Sequence, residues 1–173
     1  MDDKKIFKIL QHWFPELLER KIPKKKKRKD FEEFLGWLVA EKVANHLRAY
    51  MMKIDRHAFH ENEIERSAVF QDYNLDSQNL QTTIRQRAKP ILAHFEKHKA
   101  VIGRYYNVQD QVFDIVFEEI LTLLKVHNFE LLLIYADDYY WLAVPNEDHK
   151  IEKFCKHFNK QFKDEDISIE PVS

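Results

Sequence analysis

Few residues in this chain could do chemistry, and their spacing limits what each could do. Histidine is the most plentiful metal-ligating type that is not also a common surface charge, with nine copies. His94 and His98 stand four apart in a helical pattern, so both imidazoles can point one way. His57 and His60 lie in a polar stretch beside Glu61, Glu63 and Glu65. A metal centre needs three or four convergent ligands with supporting hydrogen bonds. His94 and His98 instead flank Phe95 at the border of an apolar stripe, the usual place of boundary histidines. No metal ligand set is assigned.

The remaining candidates for catalysis are equally thin. Asp137 and Asp138 could be cast as an acid and a base, yet adjacent strand residues point to opposite faces. Between two apolar runs they read as turn residues. Cys155 is the only cysteine and shares an apolar stripe with Phe154 and Phe158, with no cation on that face to favour a thiolate. The chain contains neither a Gly-x-Ser-x-Gly elbow nor a His-Glu-x-x-His pair. Glycine occurs only at Gly36 and Gly103, too few for a phosphate-cradling loop. The expectation is a protein with no catalytic residues and no cofactor.

Charge and aromatic content point to binding. Net charge is −1, but residues 1–30 carry eleven Lys/Arg against five Asp/Glu, whereas 129–173 carry five Lys against ten Asp/Glu. The basic part centres on PKKKKRK, where Lys24, Lys25, Lys26, Lys27, Arg28 and Lys29 run consecutively. Such a run suits a nuclear-import signal or a phosphate-binding arm, and equally a solvated loop between helices. It lacks interleaved aromatics for stacking on single strands. Tyr139, Tyr140 and Trp141 form the densest aromatic patch, and exposed Tyr and Trp are common interface anchors.

These residues must be positioned by a mainly helical chain. At 173 residues, 45% hydrophobic and 33% charged, it fits one domain with a core. Apolar spacing predicts a helix from about residue 3 to 20, bent or restarted at Pro15. A long helix is predicted from Asp30 as N-cap to about Ile54, through Phe31, Phe34, Leu35, Leu38, Val43, Leu47, Met51 and Ile54. A short helix fits ENEIERSAVFQ. Another long helix runs from Asp76 to Gly103 with Pro90 kinking it. Residues 108–127 are apolar all round except for a stripe at Gln111, Asp114, Glu118 and Thr122, as in a central helix.

From residue 129 the period changes. LLLIYADDYYWLAVP reads as a β-hairpin. Asn146 is expected to cap the helix that follows, and ISIEP to form a last strand, with Pro171 marking an edge. The predicted fold is α+β and single-domain: a helical region, 1–128, and a C-terminal β-β-α-β unit, 129–173. The unit forms a three-stranded sheet with the last strand antiparallel beside the first. With no apolar leader and no apolar run longer than LLLIYA, a cytoplasmic location without membrane contact is expected.

The hairpin with its acidic turn, LLLIYADDYYWLAVP, the helix IEKFCKHFNKQF and the strand ISIEP together resemble small bacterial immunity proteins, which block toxins of contact-dependent or secreted systems. The resemblance covers the last quarter of the chain by pattern. It implies a non-enzymatic antitoxin that binds one cognate protein toxin, often a nuclease. Asp137, Asp138, Glu147 and Asp148 would be an acidic patch facing a cationic partner, with Tyr139, Tyr140 and Trp141 as anchors beside it. The competing expectation is a nucleic-acid-binding or nuclear-targeted factor using Lys24 to Lys29.

Overall fold

In a computed structural model of the chain, residues 2–38, 42–43, 46–47, 49–54, 64–102 and 107–172 are described. Helix α1 (Lys5–Trp13) buries Ile6, Phe7, Leu10 and Trp13, one stripe at helical spacing. Phe14 leaves the helix at φ −129°, ψ 85° because Pro15 follows it, and the chain restarts as a 3-10 turn over Pro15–Glu19. Helix α2 (Phe31–Leu38) starts where expected: the Glu33 amide donates to the Asp30 carboxylate at 3.2 Å.

The long helix from Asp30 to Ile54 does not form. After α2 come two short paired strands, β1 (Lys42–Val43) and β2 (His46–Leu47), and then β3 (Met51–Ile54). Met51, Met52 and Ile54 are all buried, so β3 is apolar on both sides. A short run of that kind carries no period that separates a strand from a buried helix turn.

Helix α3 (Ala68–Asp72) realises part of the expected short helix. Helix α4 (Ser77–Ile102) is capped by Asp76, which accepts from the Asn79 amide at 2.9 Å, and runs through Pro90 without ending there. The Gly103 terminus lies outside the described residues. Helix α5 (Val108–Val126) lies between α4 and the sheet, with Gln111, Asp114, Glu118 and Thr122 on its exposed stripe. The chain then turns through Asn128, at φ 61°, into strand β4 (Phe129–Tyr135). Strand β5 (Tyr139–Pro145), helix α6 (Asp148–Gln161) and strand β6 (Ser168–Pro171) complete the fold. Asn146 makes no cap; its amide instead donates to the Asn128 carbonyl at 3.0 Å, fixing the chain between β5 and α6.

The sheet has four strands, not three, in the order β3-β5-β4-β6, all antiparallel. The last strand does lie antiparallel beside the first of the hairpin; β3 is the addition, on the far edge. Alternation sorts the two faces. Tyr139 and Trp141 face α5 and α3, with Phe113 5.4 Å from Tyr139 and Phe70 6.2 Å from Trp141. Tyr140 faces the opposite layer, where α2, α1 and α6 pack, and lies 5.8 Å from Phe31. Phenylalanines dominate that layer: Phe7–Phe34 at 5.7 Å, Phe34–Phe158 at 5.5 Å, Phe158–Phe162 at 4.8 Å.

The β6 edge is closed in a specific way. On the side away from β4, the Asn159 side chain accepts from the Ile169 amide at 2.7 Å and donates to the Ile169 carbonyl at 3.1 Å. One amide side chain thus imitates a neighbouring strand. Pro171, the next outward position, has no amide hydrogen to offer. Asn159→Ala should cost about 1–2 kcal/mol for the two lost bonds, and it should introduce concentration-dependent self-association visible by light scattering. Phe31→Ala should cost about 3–5 kcal/mol in urea unfolding, since Phe31 also meets Phe34, Phe158 and Phe162 at 6.0, 6.2 and 5.5 Å.

Candidate functional site

The β4–β5 hairpin closes through Ala136, Asp137 and Asp138, with the Ala136 amide donating to the Asp138 carbonyl at 3.1 Å. Packing sets this tip against two other segments: the start of α2 and the turn between α6 and β6. The result is a groove of about 360 Å³ lined by Phe31, Glu32, Ala136, Asp137, Asp138, Tyr140, Glu165, Asp166 and Ile167. Five of those residues are carboxylates, drawn from three separate stretches of chain.

Each part of the rim has a local reason for its place. Glu165 accepts from the Phe31 amide at 3.0 Å, a carboxylate at a helix N-terminus where unpaired amides and the dipole favour negative charge. Asp166 sits at φ 57°, a conformation that Asp tolerates better than most residues. Asp138 pairs with Lys53 of β3 at 2.9 Å, with both side chains partly exposed. The floor is aromatic, Phe31 edge-on to a half-buried Tyr140. The Tyr140 phenol is pushed up, chiefly by burial; Lys53 pulls against this, and Asp138, Glu32 and Asp137 each add a smaller upward push. The groove is therefore anionic, with an aromatic floor, and one of its carboxylates, Asp138, is paired with Lys53.

The seven residues expected to form one patch are divided. Asp137, Asp138 and Tyr140 meet in the groove. Glu147 and Asp148 lie at the far end of β5, a strand of seven residues and so roughly 20 Å away. Glu147 there bonds Lys150 and stands 3.7 Å from His12 of α1; the Lys150 contact holds its carboxyl below the usual range. Tyr139 is half-buried on the opposite sheet face against Phe113 and Tyr135. Trp141 is 0% exposed and cannot anchor a partner without unfolding. Strand alternation separates Tyr140 from Tyr139 and Trp141, but it does not tell which sheet face each helix covers. In their place come Glu32, Glu165 and Asp166. Their only sequence signal is the acidic cluster after α6, and nothing local links it to Glu32.

The lysine-rich segment is also not uniform. Lys25–Lys27 form a 3-10 turn. Arg28 is turned inward, its side chain 12% exposed and bonded to Asp3 at 2.8 Å and to the Pro23 carbonyl at 2.8 Å. The buried Gln161 amide donates to the Arg28 carbonyl at 2.6 Å. Lys27 pairs with Glu33. Lys24, Lys25, Lys26 and Lys29 are left on the exposed surface of a fixed turn.

A second groove, of about 570 Å³, runs between the polar stripe of α5 and strand β6. Tyr135 donates to Glu170 there at 2.7 Å, and burial together with Glu170 pushes its phenol up to about 12. Among the described residues no group of three or more His, Cys, Asp and Glu converges as a metal site. His57, His60, Glu61 and Glu63 fall outside those residues. None of the described helices is long and apolar enough to cross a membrane. Comparison with protein-family models, with curated proteins and with solved structures yields no match.

Cys155 is buried and its thiol is pushed up to about 11 by that burial. At about pH 8 the folded chain should react with iodoacetamide on the order of 100-fold more slowly than the urea-unfolded chain, as followed by intact mass.

Proposed function

We propose that this chain is a non-enzymatic binding protein of the immunity type, and that the groove at the hairpin tip receives a cationic segment of a protein toxin. The observation that carries the reading is the convergence of Glu32, Asp137, Asp138, Glu165 and Asp166 around a floor of Phe31 and Tyr140. Five carboxylates on one rim create a field that speeds encounter with a cationic surface and opposes anionic ones. Nucleases, which must hold phosphates, present such cationic surfaces. The aromatic floor supplies what charge alone does not, a contact that excludes water and slows dissociation.

The lysine turn supports a nucleic-acid reading less well. Arg28 and Lys27 already have partners within the chain. The remaining lysines precede α2, whose first residues, Phe31 and Glu32, line the acidic groove, so a long polyanion lying across them would approach repelling charge.

The reading is tested with tagged wild-type protein and two variants, each expressed in the native cells and purified with its partners. Glu32→Gln/Asp137→Lys removes groove charge at two exposed positions, and Lys25→Gln/Lys26→Gln alters only the turn. The proposal expects one stoichiometric protein with the wild type and the lysine variant. Its affinity for the groove variant, measured by calorimetry, should fall at least tenfold, about 1.4 kcal/mol or more, with the melting temperature nearly unchanged. Capture of nucleic acid that depends on Lys25 and Lys26, or a partner that binds the groove variant equally well, would overturn it.

A further inference from the structure

The acidic groove does not end at Tyr140. Another groove, of about 440 Å³, continues from it between α2 and β3. Glu32 and Tyr140 line both, and Lys53, the partner of Asp138, lines the second. Beyond them, among the described residues, the lining turns apolar, with Leu35 and Gly36 of α2 on one side and Met51 of β3 on the other. Register sets Lys53 opposite Tyr140 and Met51 opposite Leu142, so both lie on the sheet face that carries α2. Gly36 is the unusual residue here. It lies inside an eight-residue helix, where glycine costs stability relative to alanine. Its φ is not positive, so the backbone does not require glycine. A Cβ added there would meet no atom within 4 Å, so the packing does not require it either. The missing side chain instead leaves the helix backbone open to the groove.

Building on the acidic groove as a receptor for a cationic segment, we infer that the two grooves form one track for an extended peptide of the partner. A cationic residue sits at the acidic end, and an apolar residue two places along the peptide packs against Leu35, Gly36 and Met51. The spacing agrees. Glu32 and Gly36 stand four apart on one face of α2, about 6 Å along its axis. In an extended chain residues i and i+2 share a face and stand about 6.5–7 Å apart. Charge complementarity fixes the direction. Asp137, Asp138, Glu165 and Asp166 lie at the hairpin end, whereas Arg66 joins Lys53 along the continuation, so the cation is drawn to the first and not to the second. An exposed glycine backbone lets the peptide approach closely where a side chain would hold it off.

The isotope-labelled full chain is titrated with acetyl-Arg-Gly-Gly-amide, acetyl-Arg-Gly-Leu-amide and acetyl-Arg-Gly-Glu-amide while its amide resonances are followed by NMR. All three peptides should shift Glu32 and Asp138. The leucine peptide should also shift Gly36 and bind more tightly than the other two by roughly fivefold or more. Gly36→Val fills the space with a stiff side chain that is still a better helix former than glycine. It should keep or raise the melting temperature and abolish the leucine advantage. Equal affinities, with shifts confined to the acidic end, would overturn the track and leave the acidic groove as a cation receptor. A tighter glutamate peptide, or a leucine advantage that survives Gly36→Val, would also overturn the track. No shift from any peptide up to about 10 mM would overturn both readings.

Discussion

Phe31 is the residue on which the arrangement most depends. Its ring lies against Phe34, Phe158, Phe162 and Tyr140, and its amide is held by Glu165. It thereby joins the start of α2 to α6, to the turn after α6, and to the hairpin. Those segments bring the five carboxylates of the groove, which repel one another. At the surface such repulsion amounts to about 1 kcal/mol for a pair in close contact, whereas each phenylalanine side chain buried in this layer contributes about 2–3 kcal/mol. Aromatic packing outweighs the repulsion and sets the acidic rim in place. A rim held in that way keeps unspent attraction for a cation.

A second tether holds the turn that leads into α2. Gln161 holds the Arg28 carbonyl, and Arg28 holds Asp3 and the Pro23 carbonyl. These bonds convert a run of six cations into a turn with its arginine inside. The basic turn and the acidic groove therefore meet at the start of one short helix. The β6 edge is closed by Asn159 and Pro171, so another strand cannot extend the sheet there.

Much of this was legible in the sequence, for identifiable reasons. The Asp30 and Asp76 caps, the central character of α5, and the order hairpin, helix, strand each follow from local rules of spacing and hydrogen bonding. Strand β3 did not, because Met51, Met52 and Ile54 fit a buried strand and a helix stripe equally. Which of Tyr139, Tyr140 and Trp141 is buried is not legible, because alternation tells which side chains share a face, not which face is covered. The acidic patch was misassembled for a related reason. Glu147 and Asp148 are near Asp138 in sequence, but a fully extended strand carries them away. Glu165 and Glu32, more than 130 positions apart, become neighbours through the aromatic layer alone.

The Lys53–Asp138 pair bears on how the groove would be used. It places a cation of the chain itself against the rim, where a partner's lysine or arginine would come. A pair this exposed contributes about 0–1 kcal/mol, so exchanging Lys53 for another cation costs little. Lys53 therefore acts as a weak placeholder: it reduces repulsion at the tip in the free protein without closing the groove. An arriving guanidinium could bond a carboxylate through two parallel hydrogens and lie on the Tyr140 ring, neither of which an ammonium does as well. If the groove receives a cationic segment as proposed, its charge and aromatic floor favour arginine over lysine there.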